Sequence, residues 1–191
     1  LGNGSSMTAV KDGHSIDTTM GMTPLDGLVM GTRSGNIDPS IIEFINKKTG
    51  WSIEEITNYL NKKSGMLGLN GKTSDMRENN ELIAQGDERA KLFLDILAYQ
   101  IKKYIGSFSA AMGGVDAIAF TGGIGENQED IREMCLKGLD FLGIEIDKDK
   151  NWKLPRDTEE ELSLKTSKVK IYRIPTNEEL AIAEDTLRLV K

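Results

Sequence analysis

Apolar side chains repeat at helical spacing along the middle of the chain and gather into short runs on either side of it. Over residues 87–108, Phe93, Leu97, Ile101, Tyr104 and Phe108 fall on one face, which predicts a long buried helix. Near the start, residues 7–10 and 14–19 flank Lys11-Asp12-Gly13, and Asp-Gly between two such runs predicts a β-hairpin. Residues 20–36, rich in Gly, Thr and Pro, read as a loop. Asp38-Pro39 opens a helix with Ile41, Ile42 and Ile45 on its apolar face and Gly50 at its end. Ser52-Ile53-Glu54-Glu55 is a capping box for a second helix reaching Lys62. Residues 65–71 read as a loop.

The second half reads as two strand–helix units. Residues 115–120 are a short apolar run, hence a buried strand. The run ends in Thr121-Gly122-Gly123-Ile124-Gly125-Glu126-Asn127, and a helix bearing Ile131, Met134, Cys135 and Leu139 follows. Acidic residues 157–161 lack periodicity and read as an exposed loop. Residues 169–174 alternate like a strand, Pro175 stops it, and Thr176-Asn177-Glu178-Glu179 predicts a second capping box. The final helix carries Leu180, Ala183, Leu187 and Val190 on one face. A hairpin, then helices, then strand–helix twice makes a mixed α/β domain.

Length and composition narrow the classes. The 191 residues suit one domain with a real core. The one cysteine, Cys135, excludes a disulfide scaffold and a cysteine-based zinc site. With 24 basic and 30 acidic residues the net charge is −6, which argues against a general nucleic-acid or anionic-membrane surface. No apolar run approaches the ~20 residues of a bilayer span. The chain opens on Leu1-Gly2-Asn3-Gly4 without the charged and apolar regions of a signal peptide. A strand-like leucine running into a glycine turn is expected inside a longer polypeptide.

Several residues can carry chemistry. Strand, Gly122-Gly123-Ile124-Gly125, helix lets backbone approach a ligand and presents free N–H groups to it, although an ordinary α/β connection has the same pattern. Gly71-Lys72-Thr73 is not a P-loop, because the required glycine is replaced by Met66. Residues 74–77 then read as a polar loop. Leu1-Gly2-Asn3-Gly4-Ser5-Ser6 can wrap a phosphate or form a simple turn. Arg33 lies between glycines in Gly31-Thr32-Arg33-Ser34-Gly35, either solvated or reaching into a cleft, where a guanidinium suits a transferring phosphoryl group. Glu178 opens a helix, where it complements the dipole or stands near a metal-bound water. His14 reads as a surface residue and Cys135 as a small buried hydrophobe.

The order of these segments resembles the acetate kinase family. The resemblance rests on Leu1 to Ser6, Asp17-Thr18-Thr19-Met20-Gly21-Met22-Thr23-Pro24-Leu25-Asp26-Gly27, and Gly31-Thr32-Arg33-Ser34-Gly35-Asn36-Ile37-Asp38-Pro39. It continues in Asn61-Lys62-Lys63-Ser64-Gly65, Ser74-Asp75-Met76-Arg77, Phe120 to Asn127, and Ile174-Pro175-Thr176-Asn177-Glu178-Glu179-Leu180. It spans nearly the whole chain, and propionate kinases share most of it.

The resemblance implies two domains of the ribonuclease-H-like, actin-like ATPase fold, each a mixed sheet with flanking helices, around a shared cleft. Residues 1–191 would be the carboxyl-terminal nucleotide-binding and dimerisation domain, without the amino-terminal one. The implied reaction is ATP + acetate ⇌ ADP + acetyl phosphate with Mg²⁺ (or Mn²⁺), in a cytoplasmic homodimer that uses neither nucleic acid nor membrane.

Residue by residue, Gly2, Asn3 and Gly4 match the phosphate loop. Asp75, Met76 and Arg77 match one adenosine wall, and Gly123, Ile124, Gly125, Glu126 and Asn127 match the other. Arg33 matches the catalytic arginine, Pro24 a contact for the acetate methyl, and Glu178 the magnesium-associated glutamate. Met22 and Met76 stand where relatives often carry phenylalanine, and the histidine that normally precedes Leu1 is missing. A second arginine, an aspartate, an asparagine and a histidine come from the other half in the family, so the isolated chain is expected to be a non-catalytic module.

Overall fold

The structure, a computed structural model, describes residues 1–155 and 157–190. Strands β1 (Thr8–Lys11) and β2 (His14–Thr18) form the expected antiparallel hairpin. Asp12 and Gly13 turn at φ 52° and 77°, the pair of positive values that a two-residue turn between twisted strands requires. Ala9 faces Asp17 and Val10 faces Ser15, so Ile16 is the extra residue of a bulge.

Helices α1 (Ser40–Thr49) and α2 (Ile53–Lys62) follow. The Asp38 carboxylate accepts from the Ser40 N–H at 2.9 Å, and Gly50 ends α1. The apolar face expected on α1 is only partly covered: Ile42 and Ile45 are half-buried and Ile41 is exposed. In α2 both halves of the capping box form between Ser52 and Glu55, and Ile56 and Leu60 are buried.

Two helices stand where loops are expected. Residues 65–70 form α3 (Gly65–Asn70), whose Met66 and Leu67 N–H groups donate to the carbonyls of Met30 and Gly31 at 2.9 and 3.0 Å. Six residues are too few to show a period, so a tertiary anchor decides the conformation. The polar loop expected at 74–77 instead starts α4 (Met76–Ala84), with the Asp75 carboxylate accepting from the Arg77 N–H.

The long helix α5 (Glu88–Met112) is capped by Asp87. It buries Phe93, Leu94, Leu97, Ala98, Ile101, Ile105 and Phe108, and packs against α3, α4, α7 and β1. Tyr104 is only partly buried; its hydroxyl accepts from Asn36 at 2.6 Å.

The remaining elements are β3 (Ala117–Phe120), α6 (Gly122–Asn127), α7 (Glu129–Leu136), a 3₁₀ turn (Asp140–Leu142), α8 (Lys148–Trp152), β4 (Glu160–Glu161), β5 (Lys170–Arg173) and α9 (Glu178–Val190). Strand β5 pairs parallel with β3 and antiparallel with β4, in the order β3-β5-β4. The sheet is mixed, as expected, but small and separate from the hairpin. Strand β4 replaces part of the exposed loop expected at 157–161, drawn in by the adjacent Leu162, which is fully buried. Leu139 lies past the end of α7, and α9 buries no side chain, so its expected inward face is open.

The edge of β3 away from β5 faces β1 across a groove of about 370 Å³. Helix α5 floors this groove with Ile101, Ile105, Phe108 and Met112. The Ser109 hydroxyl, also on the floor, is buried without a hydrogen-bond partner among the described residues.

Phe93 is 1% exposed at the centre of this packing. Phe93→Ala is expected to lower the unfolding free energy by roughly 3–5 kcal/mol. Urea denaturation checks this as a lower midpoint at unchanged slope; an unchanged midpoint would remove this face of α5 from the core.

Candidate functional site

Three short segments meet at the carboxyl end of β3. Leu1 lies over the strand end, where its amino group donates to the Thr121 carbonyl at 2.7 Å. Its carbonyl accepts from the Ile124 and Gly125 N–H groups at 2.8 and 3.2 Å. Those two bonds explain why a run with three glycines is helical: the first N–H groups of α6 find a partner outside the helix. Gly122 has φ 76°, and a Cβ there would stand 2.8 Å from the Leu1 carbonyl oxygen, so both conformation and space call for glycine. The connection expected as a glycine turn is therefore α6 itself.

The chain next turns through Gly2, Asn3 and Gly4 towards Gly31. The Gly31 N–H donates to the Asn3 carbonyl at 2.9 Å, and a Cβ on Gly31 would sit 1.7 Å from Asn3 Oδ1. Only a bare backbone lets Asn3 approach. Beyond Gly31, the Arg33 guanidinium donates to the Pro24 carbonyl at 3.2 Å, and its Nη1 lies 3.3 Å from where a Gly4 Cβ would be. Pro24, Arg33 and Gly4 are thus neighbours.

The opposite wall is the start of α4. Asp75 caps the helix and pairs with its neighbour Arg77, with Oδ2 2.6 Å from Nη2. This Arg77 hydrogen bond is the main reason that the Asp75 carboxyl is pulled down to about 2. A buried amide network supports the turn. Asn70 Nδ2 donates to the Thr73 carbonyl at 3.1 Å and to Asn79 Oδ1 at 2.9 Å, and Asn79 Nδ2 donates to the Ala90 carbonyl of α5 at 3.1 Å.

These segments enclose a cleft of about 570 Å³ lined by Gly2, Asn3, Asp75, Met76, Arg77, Gly123, Ile124 and Asn127. Sequence reasoning names all eight for nucleotide. It also names Gly4, Gly125 and Glu126, which do not line the cleft. Gly4 abuts Arg33, Gly125 is buried within α6, and Glu126 is bound to Thr176. Gly31, Met66, Ser74 and Gln128 line the cleft without having been singled out.

Arg132 is a further unsignalled residue. It is 1% exposed and donates to the carbonyls of Gly125 (2.8 Å), Glu126 (3.0 Å) and Asn151 (3.4 Å) and to Asn151 Oδ1 (2.7 Å). Burial pushes its pKa down. It braces the carbonyl end of α6, where the macrodipole favours a cation. A lone arginine among helical residues carries no sequence mark of such a task.

At the far end, Asn177 rather than Thr176 caps α9, accepting from the Leu180 N–H at 3.1 Å. The capping box expected from Thr176 to Glu179 does not form, because Thr176 is bound to Glu126 instead. Glu178 is exposed in the first turn of α9. Cys135 is fully buried in α7, and burial pushes its thiol up to about 12, so it is inert packing.

The arrangement defines an α/β domain with a glycine-walled cleft beyond a strand's carboxyl end, the usual ligand position in such sheets. Residues 1–184 match the model of the Acetokinase family. Over 191 residues the chain is 54% identical to the acetate kinase of Fusobacterium nucleatum, covering all of this chain and 48% of that protein. Over 189 residues it is 56% identical to the acetate kinase of Shouchella clausii, covering 99% and 47%.

Its structure superposes on the crystal structure of Porphyromonas gingivalis acetate kinase with TM-score 0.94 at 45% identity, over all of this chain and 48% of that one. A propionate kinase structure from Francisella tularensis gives TM-score 0.87 at 52% identity, over 96% and 46%. The chain belongs to the acetokinase family, and it spans about half the length of the relatives it matches.

Two outcomes follow from the cleft geometry. Gly31→Ala is expected to force Asn3 away, at roughly the 1–3 kcal/mol of an overpacked site. Hydrogen exchange checks this as lost amide protection at position 31; retained protection would show that the loop yields without cost. The Asp75 carboxyl has a folded value of about 2, below the ordinary 3.8. Its contribution to the start of α4 is therefore complete above the ordinary value and lost as pH falls through the folded one. NMR titration of the Asp75 carboxyl is expected to show this low midpoint, and Arg77→Ala to return it towards 3.8.

Proposed function

We propose that this chain is the nucleotide-binding half of an acetate kinase with the actin-like ATPase fold, catalysing ATP + acetate ⇌ ADP + acetyl phosphate in the intact polypeptide. The observation that carries this reading is the cleft. Phosphate-loop residues Gly2 and Asn3, the Asp75–Arg77 wall and the Gly123–Ile124 wall converge on it. Its neighbour Arg33 lies against Gly4.

In this reading the nucleotide's phosphates lie along Gly2 to Gly4, with adenosine between the start of α4 and α6. Gly125 and Glu126 support the second wall from behind. Arg33 reaches from its glycine-flanked loop to the transferring phosphoryl group and stabilises charge on its equatorial oxygens. Pro24, whose carbonyl holds the Arg33 guanidinium, presents its ring to the acetate methyl.

The chain's residues fit a divalent metal that arrives with the nucleotide. No group of three or more His, Cys, Asp or Glu side chains gathers among the described residues. Glu178 is a single exposed carboxylate, and Mg²⁺ commonly keeps its waters and phosphate oxygens with only one or two carboxylates. When bound, Mg²⁺ or Mn²⁺ supplies charge neutralisation on the phosphates. Glu178 then orients that hydrated ion from the first turn of α9.

The same reading places the protein in the cytoplasm as a homodimer joined through this domain, acting on ATP or ADP and acetate or acetyl phosphate without nucleic acid or membrane. No helix among the described residues is long and apolar enough to cross a membrane. A propionate kinase among the structural relatives favours propionate as the second reading. One methylene is worth only about 1–3 kcal/mol in an apolar pocket.

Phosphoryl transfer depends on groups positioned on both sides of the substrate. The 191-residue chain alone is therefore expected to bind nucleotide without turnover. In a coupled assay the full-length polypeptide carrying this chain is expected to phosphorylate acetate with higher kcat/KM than propionate. Arg33→Ala is expected to lower kcat by about 10³-fold or more with little change in nucleotide affinity. Unchanged turnover would remove Arg33 from the chemistry, and a preference for propionate would select the second reading.

A further inference from the structure

Helix α9 is oriented through its first turn. None of its thirteen residues buries a side chain. Among the described residues, hydrogen bonds hold the connector before it at two places. The Ile174 N–H donates to the Phe120 carbonyl at 2.9 Å, which only continues the pairing of β5 with β3. The other contact is made by the Glu126 side chain, whose Oε1 accepts from the Thr176 main-chain N–H at 3.0 Å and from the Thr176 hydroxyl at 2.9 Å. The same oxygen accepts from the Gly122 N–H at 2.8 Å. One carboxylate oxygen thus joins the first residue of α6 to Thr176, 50 positions after Glu126 itself and two before Glu178.

The base of this link is rigid. Arg132 donates to the carbonyls of Gly125 and Glu126, so the backbone behind the carboxylate is pinned from the core. The carboxylate is also ionised. Burial works to raise its pKa, but the Thr176 donors, the Gly122 N–H and the charge of Arg173 together hold it below its ordinary value. Charge-assisted bonds of this kind are about twice as strong as neutral ones. Glu126 sits beside Ile124 and Asn127, which line the cleft, yet it points to the opposite side.

We propose that Glu126 is a positioning residue that couples the nucleotide wall to the turn carrying Glu178. The inference rests on the functional reading above for the role of Glu178. Nucleotide packed against α6 fixes Gly122 to Asn127. Through Glu126 Oε1 it fixes Thr176, and with it the direction in which α9 presents the Glu178 carboxylate. Ordering of the nucleotide wall and placement of the metal-side carboxylate are then one event.

The test uses the full-length polypeptide, wild type and Glu126→Ala, Glu126→Gln and Thr176→Val, with ADP as the probe. Without metal, hydrogen exchange of the wild type is expected to show ADP protecting residues 122–127 and also 176–180. In Glu126→Ala the protection is expected to stop at α6. In Glu126→Gln, whose side-chain oxygen can still accept, it is expected to recover in part. In kinetic assays, Glu126→Ala and Thr176→Val are expected to raise the Mg²⁺ concentration for half-maximal rate by about 10-fold, the order of a lost charged hydrogen bond. The KM for acetate is expected to stay within about twofold of wild type, so that the effect is confined to the metal; a general loss of folded enzyme would lower the maximal rate and leave the Mg²⁺ requirement unchanged.

Protection that still reaches 176–180 in Glu126→Ala would overturn the coupling, as would an unchanged Mg²⁺ requirement in both variants. Absence of acid-kinase activity in the wild type would overturn the functional reading alone. The exchange experiment on ADP and α9 would still decide whether the link transmits.

Discussion

The structure depends on burying one face of α5. This helix supplies the largest continuous share of the core, and α3, α4, α7 and β1 pack on it directly. Each wall of the cleft is anchored to it in turn. The α4 wall is tied by the hydrogen bond from Asn79 to the Ala90 carbonyl. The α6 wall follows α7 through Arg132, which sits one turn before the buried Cys135 and Leu136. The loop carrying Arg33 is held near α3, with the Met66 N–H on the Met30 carbonyl. A cleft built from short helices and the turns between them is thereby fixed by a helix that does not line it.

What the sequence made legible follows from how local each signal is. The Asp12-Gly13 hairpin, the Ser52–Glu55 capping box and the periodic face of α5 are determined by neighbours in the chain, and all three form. Helix α3 is held by carbonyls thirty-six residues upstream, and no pattern within six residues can announce that. Helix α6 illustrates the same limit more sharply. Its glycines argue for a turn, and it is helical because the Leu1 carbonyl and Arg132 satisfy its two ends from outside. At Thr176 the local pattern predicts a capping box, and a partner fifty residues away holds the threonine instead.

The cleft was more legible than the scaffold around it. Its lining consists of contiguous motifs, Gly2-Asn3, Asp75-Met76-Arg77 and Gly123-Ile124, so reading the motif places most of the wall. The misplacements, Gly4, Gly125 and Glu126, are residues inside these motifs that face other parts of the protein. Glu126 lies in the same short helix as its neighbours, but its side chain is bound to Thr176 and does not line the cleft, a partner that the local motif does not announce. Arg132, Asn70 and Asn79 stayed invisible because burial, and not residue type, gives them their tasks.

The groove between β1 and β3 has a consequence for handling this chain. Two strand edges face each other there over an apolar floor, and the Ser109 hydroxyl lies unpartnered in that floor among the described residues. Unpaired edges above buried aliphatic side chains are the usual template for adding a strand from another molecule. For these 191 residues such an edge is a route to association that the net charge of −6 opposes without removing. A charged or proline substitution on the outer edge would block that pairing without touching the cleft.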